Sequence, residues 1–508
     1  MDLVLARQVS RALPAERVAT VALASGIFLL LVLFAVGVSI NHDESQYVAA
    51  AALMRTGLPF VDWAYLQTPL QPLLFAPLAW LPSGWMLLGH RLANAMCAAA
   101  AALLVRQIVR REGGSARAAL LAGLLMAGSD VFLFAGTVAR NDALPLLLFT
   151  GALGAALALV SGRGGTSAAA LAGMLAAAAA SAKISYAPPA AALGAMLLLQ
   201  GRLRPPRLAA FALGGLAGLL PCLALAAAAW DAFRFGVLDY SLEAPQQWRR
   251  VTGMWVMLTP LGKLERLLGY GLLGAPLAAL ALVAWDRARG GGQGRGQAAL
   301  ALLDTTIVAA LVAAYLPDPS FRQYLAPLLP ALFLRLGLTL DRQRWLRGAV
   351  LAGAVTLCLA AGLARSGMEA ARALRDGAPA LEAIDDAPLI ARLAPDGPIA
   401  TLAPERVAGT GAAIDPRLAA GPFLFRTRGA LADRVGTITG ALTDESAAAG
   451  LDARRPAAVL IGTEPRPYRG EPKGLDGILE RWALDNRYRP FTLPSGMTLF
   501  IAPPRRHR

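Results

Sequence analysis

The sequence predicts a polytopic α-helical membrane protein with about eleven transmembrane helices and a small C-terminal α/β domain. Three observations predict it. The 508 residues are 56% hydrophobic and 16% charged, with a mean hydropathy of +0.52, whereas soluble chains are about 45–50% apolar and about 25% charged. Apolar stretches of the length that crosses a bilayer recur through the first part of the chain. From about residue 366 the composition becomes that of a small soluble domain.

The stretches fall near 18–40, 84–105, 116–137, 143–160, 167–182, 185–200, 208–229, 266–284, 298–316, 322–339 and 346–364. The first is too long for a cleaved signal segment and reads as a retained anchor. The fifth and sixth are short, separated by Ser181-Ala182-Lys183-Ile184-Ser185, and also read as one broken helix.

The net charge of +15 is not gathered into one basic patch, as a nucleic-acid surface would need. It lies in short Arg clusters between spans: Arg7, Arg11 and Arg17, then Arg106, Arg110, Arg111 and Arg117, then Arg163. Arg202, Arg204 and Arg207, Arg287, Arg289 and Arg295, and Arg342, Arg344 and Arg347 follow on the same side, which the positive-inside rule makes cytoplasmic. The opposite side receives Asp43-Glu44, Asp62, Arg140-Asn141-Asp142, residues 231–263, residues 318–322 and everything after about 365. The expected protein is multi-pass in the plasma (inner) membrane, with a cytoplasmic N-terminus. Cys97, Cys222 and Cys358 all lie in apolar spans, so no disulfide framework is expected.

Residues 1–365 thus form the membrane domain, with interfacial loops at 41–83 and 230–265. The first loop opens with a short amphipathic pattern from Ser45 to Met54 and continues with prolines and aromatics, as suits the membrane interface. Residues 366–508 form the extracytoplasmic domain. There Ile399–Leu402 and Ala457–Ile461 read as buried strands, Leu475–Trp482 as a helix, and Phe491–Leu493 with Met497–Ile501 as a hairpin. That domain is expected to bury a core of its own and to shape acceptor access.

The chemistry concentrates in Asn41-His42-Asp43-Glu44-Ser45-Gln46-Tyr47, directly after the first span. An ionisable group at full bilayer depth is penalised by roughly 2.5–3.5 kcal/mol, so adjacent carboxylates at a span's mouth mark a functional site. The competing reading is a helix cap, since Asp suits that position and acids suit a first turn. Arg91, Arg140, Lys183 and Arg322 stand at outer ends of different spans. A carboxylate to take a proton beside cations to hold a departing phosphate suits sugar transfer from a polyprenyl phosphate, the donor form present outside the cytoplasm. No phosphate loop, zinc spacing or nucleophile elbow occurs.

Asp43-Glu44-Ser45-Gln46-Tyr47 resembles the acidic signature of the GT-C glycosyltransferase superfamily, in its protein-mannosyltransferase-like and aminoarabinose-transferase-like branch. Gly57–Asp62 with Thr68-Pro69-Leu70, His90-Arg91-Leu92, Lys183-Ile184-Ser185 and Arg322-Gln323-Tyr324-Leu325 resemble further signatures of that superfamily in order. The resemblance implies a GT-C-like fold over the membrane part and an inverting transfer of a sugar from a polyprenyl-phosphate donor. The acceptor would be an extracytoplasmic glycan, lipid or protein. Asp43 would be the base and Glu44 a supporting acid. Lys183, Arg322, Arg140 and Arg91 would hold the donor phosphate, and Tyr47, Asp62, Tyr65, Asp142 and Tyr324 would line the substrates. Some relatives hold a divalent metal near the acidic loop, although no metal-ligand spacing stands in this sequence.

Two other classes fit a polytopic chain. A secondary transporter would carry paired broken helices with charges at mid-depth, and only one such break, at Lys183, is present. A non-catalytic envelope-assembly protein would work through its soluble domain instead.

Overall fold

The structure is a computed structural model that describes residues 2–290, 296–343, 346–394, 397–464 and 474–503. Arg295 and Arg344 of the basic clusters lie outside them. Helices satisfy every backbone polar group within one segment, which is why apolar stretches in lipid fold this way. Helix α1 (Asp2–Gly37) is followed by α2 (Glu44–Leu53), α3 (Leu70–Phe75) and α4 (Met86–Arg111). Next come α5 (Ala116–Ala127), α6 (Asp130–Thr137), α7 (Ala143–Val160), α8 (Thr166–Ala182), α9 (Ala187–Leu199) and α10 (Pro205–Ala228). Residues 230–265, expected as an interfacial loop, lie in α11 (Trp230–Arg234), α12 (Tyr240–Val251) and α13 (Pro260–Arg266). Helices α14 (Ala275–Ala288), α15 (Gln297–Tyr315), α16 (Leu328–Leu340) and α17 (Gly348–Asp376) complete the bundle.

All eleven expected stretches are helical. Among the described residues six helices are long and apolar enough to cross a membrane, and the pair α5–α6, bent by 65°, makes a seventh. The remaining four, α8, α9, α14 and α16, have 17, 13, 14 and 13 residues, short of the roughly 20 that span a bilayer. Lys183 ends α8 in extended backbone, and the prolines at the start of α9 preset its first turn. Residue 366 falls inside α17, so the change of composition is not where the chain leaves the bundle; that helix runs unbroken to Asp376.

Helices α8 and α10 touch backbone to backbone. A Cβ on Gly214 would stand 2.1 Å from the Ala170 carbonyl oxygen, and one on Gly173 2.1 Å from that of Phe211. Such small-residue contacts are how helices associate where lipid removes the hydrophobic drive. Ser181 donates to the Gly218 carbonyl at 2.7 Å, which anchors the end of α8 that carries Lys183. At the other end of the bundle the fully buried Arg335 of α16 donates to Asp304 of α15 at 2.8 Å and to Asp286 of α14 at 3.0 Å.

After α17 the chain forms α18 (Pro379–Leu393), β1 (Pro398–Thr401), α19 (Pro404–Val407), β2 (Ala413–Ile414), α20 (Ala430–Thr439), α21 (Ala447–Ala453), β3 (Ala458–Ile461), α22 (Gly477–Asp485), β4 (Arg489–Thr492) and β5 (Thr498–Ile501). The sheet order is β2-β1-β3-β5-β4. Strands β2, β1 and β3 are parallel, while β3–β5 and β5–β4 are antiparallel, with Thr492 opposite Thr498 beside the hairpin turn. Alternation of side chains divides the sheet's residues between two cores. Ala400, Val459, Ile461 and Phe500 pack with Leu479 and Trp482 of the sheet's own helices. Ile399, Ala458, Leu460 and Leu499 pack with Val48 and Ala49 of α2, Met86, Ala139 and Ala182. The region expected to bury a core of its own therefore closes neither face alone: Trp248 of α12 joins the first core, and the bundle completes the second.

Helix α2 differs from the expectation for Ser45–Met54. In place of a surface amphipathic helix it is enclosed, with Glu44 to Ala51 and Leu53 all buried. Helices α3 and α19 both pack against it, and α19 comes from the C-terminal region.

Candidate active site

The site is built where α1 ends and α2 begins. Glu44 is fully buried and receives Arg91 in a bidentate pair, Nε to Oε1 at 2.8 Å and Nη2 to Oε2 at 2.7 Å. The backbone N–H groups of Asn41 and Ala139 add bonds of 2.7 and 2.6 Å. Arg91 also donates to the carbonyls of Ala35, Val38 and Ser39 at 2.6, 2.9 and 3.3 Å. A guanidinium carries five N–H donors, so every one has a partner inside the protein. Arg91 is not brought to an open site. It clamps the end of α1, the start of α2 and the turn before Arg140.

Asp43 has helical dihedrals and makes no capping hydrogen bond. One of its oxygens is ion-paired with the Arg140 guanidinium, and His42 Nε2 lies 3.1 Å from the other. Its side chain is 18% exposed against 0% for Glu44, so of the two acids only Asp43 is reachable by an incoming hydroxyl.

Arg140 Nε donates to Asp142 Oδ2 at 3.0 Å, and the other Asp142 oxygen holds Lys183 Nζ. Asp43, Arg140, Asp142 and Lys183 are thus one chain of alternating charge running from the rim into the protein. Burial pushes the Asp142 carboxyl up, but Lys183 and Arg140 outweigh it and leave it below the ordinary range. Burial, then Arg140, lowers Lys183 to about 8 against the pull of Asp142.

The Arg140 guanidinium stands 5.8 Å from the Tyr47 ring and 5.3 Å from that of Phe134. Arg322 lies 4.0 Å from the same Phe134 ring and donates to both Asp130 oxygens at 2.9 and 2.7 Å. Phe134 therefore joins the two cations. Tyr324, two residues after Arg322, lies edge-on to Phe321 at 5.9 Å. Tyr65 is buried edge-on to Tyr47 at 6.5 Å. Asp62 is elsewhere; it is exposed and accepts from the Leu58 N–H at 2.7 Å, closing the turn in which Phe60 takes a φ of 68°.

Several side chains that fix this geometry were not anticipated from the sequence. Asn94 donates to the Val138 and Arg140 carbonyls, both at 2.7 Å, and Gln71 to the Arg140 carbonyl at 2.8 Å. Asn94 within an apolar span, like Asp130 within another, was a signal that could have found them, because buried polar groups need partners.

The C-terminal region roofs the site. His42, whose side chain is 45% exposed, packs edge-on to Phe423 at 5.9 Å, with Arg426 Nη1 3.3 Å from its Nε2. Arg426 also faces Glu464 at 3.6 Å. Beneath the roof, Glu405 is pushed up to about 8, by burial first, with Glu44 and Glu464 adding and Arg406 opposing.

The fold favours the neutral Glu405 acid. Its contribution is complete below the ordinary 4.5 and fades as pH rises to about 8, by about 1.4 kcal/mol per pH unit. Thermal unfolding between pH 5 and 9 should show the wild-type Tm falling more steeply than that of Glu405→Gln; equal slopes would remove Glu405 as the cause.

Among the described residues no three His, Cys, Asp or Glu side chains gather to hold a metal. Asp43 and Asp142 both already face cations, a poor donor set for a divalent ion, so no step below runs through one.

A bundle of apolar helices with a carboxylate and several cations at one end defines the class of membrane-embedded group-transfer proteins. More narrowly, the sequence profile of glycosyltransferase family 87, a family of GT-C type, matches residues 65–319, half of the chain, and the chain belongs to that family. The match starts beyond Asp43 and Glu44 and includes Arg91, Arg140 and Lys183. Among solved structures the chain is similar to that of ArnT from Cupriavidus metallidurans bound to undecaprenyl phosphate, with a TM-score of 0.59 and 14% identity, over 96% of this chain and 99% of ArnT's. At that identity the likeness is one of fold, the GT-C fold of an aminoarabinose transferase. No curated protein matches the chain by sequence.

Proposed function

We propose that the protein moves a sugar from a polyprenyl-phosphate donor to an acceptor hydroxyl outside the cytoplasm, with inversion at the anomeric carbon. The observation that carries this reading is the continuous charge chain Asp43–Arg140–Asp142–Lys183. Asp43 takes the proton of the acceptor hydroxyl, whose oxygen attacks the anomeric carbon from the face opposite the phosphate. The C–O bond to the phosphate breaks, and its electron pair leaves with the lipid phosphate. Lys183, with Arg140, balances the charge that grows there. Arg322 acts from the far side of Phe134, while Tyr47, Tyr65 and Tyr324 line the substrates. Glu44 and Arg91 are positioning residues rather than a supporting acid and a phosphate ligand, because their hydrogen bonds are all internal. Asp62 closes its turn. The ArnT complex supports the donor class through its undecaprenyl phosphate.

The Arg clusters support a cytoplasmic N-terminus in the inner membrane. Residues 1–376, through the end of α17, then form the catalytic membrane domain and 377–508 an extracytoplasmic roof that shapes the acceptor's approach.

Binding of undecaprenyl phosphate to the purified protein tests this directly. Lys183→Ala should weaken it about 10- to 100-fold, the worth of a charge-assisted hydrogen bond, with turnover falling too; Arg322→Ala should weaken it less. Because Lys183 is held near 8 and only its charged form attracts phosphate, wild-type affinity should fall as pH rises through that value. Affinity and turnover unchanged in both variants would remove these residues from the donor site.

A further inference from the structure

Asn141 stands at a junction of three chain segments. Its amide donates to the Ala182 carbonyl at 2.9 Å and lies 3.4 Å from Gln67 Oε1. This brings residues 67–68, 141–142 and 182–186 together beside the Asp142–Lys183 pair. Thr68, Asn141 and Tyr186 are 2%, 0% and 0% exposed. Yet Thr68 Oγ1, Asn141 Oδ1 and the Tyr186 hydroxyl have no hydrogen-bond partner among the described residues.

Buried polar atoms are rarely left so, since each orphan forfeits the hydrogen bond that water gave it. Reorientation does not rescue these three easily. The Tyr186 ring is fixed edge-on to Phe149 at 5.7 Å, and the Asn141 amide is committed to Ala182 through its nitrogen. The Tyr186 backbone N–H bonds the Lys183 carbonyl at 3.0 Å, which holds this residue beside the Asp142–Lys183 pair. Two hydroxyls and one carbonyl oxygen, all neutral and carried by segments that meet beside the Asp142–Lys183 pair, match no second anion. They match the alternating donors and acceptors of a sugar ring.

We propose that Thr68, Asn141 and Tyr186 form the subsite that reads the hydroxyls of the donor's sugar, with Lys183 at its phosphate end. This rests on the polyprenyl-phosphate reading above and adds to it the residues that select which sugar is carried. A site built to bond a hydroxyl rejects an analogue that lacks it, because its own groups then stay unpaired.

The isosteric changes Tyr186→Phe and Thr68→Val remove one hydroxyl each and little volume. In detergent both variants should keep or raise the Tm of the ligand-free protein, since each deletes an orphan. Both should bind bare undecaprenyl phosphate as the wild type does. Against undecaprenyl phosphates carrying glucose, galactose, mannose or arabinose, kcat/KM for the preferred donor should fall about tenfold per hydroxyl removed, and the preference among the four should narrow. A lower Tm with an unchanged preference would show that the hydroxyls serve the fold, and would overturn the proposal. Unchanged Tm, affinity and preference would overturn it equally. Wild-type protein that binds no bare undecaprenyl phosphate would instead bring down the donor reading, and this subsite with it.

Discussion

Asp43→Asn is expected to lower turnover by about 10²–10⁴-fold, the usual worth of a general base, with expression and Tm close to wild type. The structure says why stability should survive. Asp43 makes no capping hydrogen bond at the start of α2 and is the partly exposed end of the charge chain, and Arg140 keeps Asp142 as a partner when Asp43 is neutralised. The amide retains the shape and one acceptor oxygen but cannot take a proton. Steady-state rates with a lipid-linked donor, beside a thermal melt, make the measurement. Near-normal turnover in a well-folded Asp43→Asn protein would remove it as the base.

Arg91→Met and Glu44→Gln are expected to do the opposite, destabilising the fold by about 3–5 kcal/mol each, as removal of one partner from a buried ion pair does. Each variant leaves a fully buried group facing an absent charge. Arg91→Met also frees the carbonyls of Ala35, Val38 and Ser39 at the end of α1. The double variant should cost less than the sum, because the partners touch. Any protein that does fold should retain much of its turnover. If Glu44→Gln melted like wild type and lost activity as severely as Asp43→Asn, the division between a chemical Asp43 and a positioning Glu44 would fail.

Both results turn on a distinction between neighbours that no sequence pattern makes. Asp43 and Glu44 are adjacent carboxylates after the same span, and periodicity assigns them nothing different. Their burial differs because α2 begins between them: Glu44 projects toward α4, where Arg91 waits, and Asp43 toward the 138–142 turn. Arg91 and Arg140 likewise look alike as basic residues at span ends. One has its donors used by carbonyls at the end of a neighbouring helix, and the other is stacked between Tyr47 and Phe134 at the rim.

By itself the sequence determined the eleven apolar stretches, the four longer strands and the hairpin. These are local or compositional properties: lipid forces apolar stretches into helices, and alternation marks a strand wherever the chain goes next. Tertiary structure decided the rest. Enclosure of α2 needed α19, some 360 residues away in sequence, and the roof of Phe423, Arg426 and Glu464 came from just as far. The link from Arg322 to Arg140 runs through Phe134, which reads as one more apolar residue in a span. Burial, pairing and the unpartnered atoms of Thr68, Asn141 and Tyr186 are relations between distant segments, set by how those segments pack, and a linear pattern does not carry them.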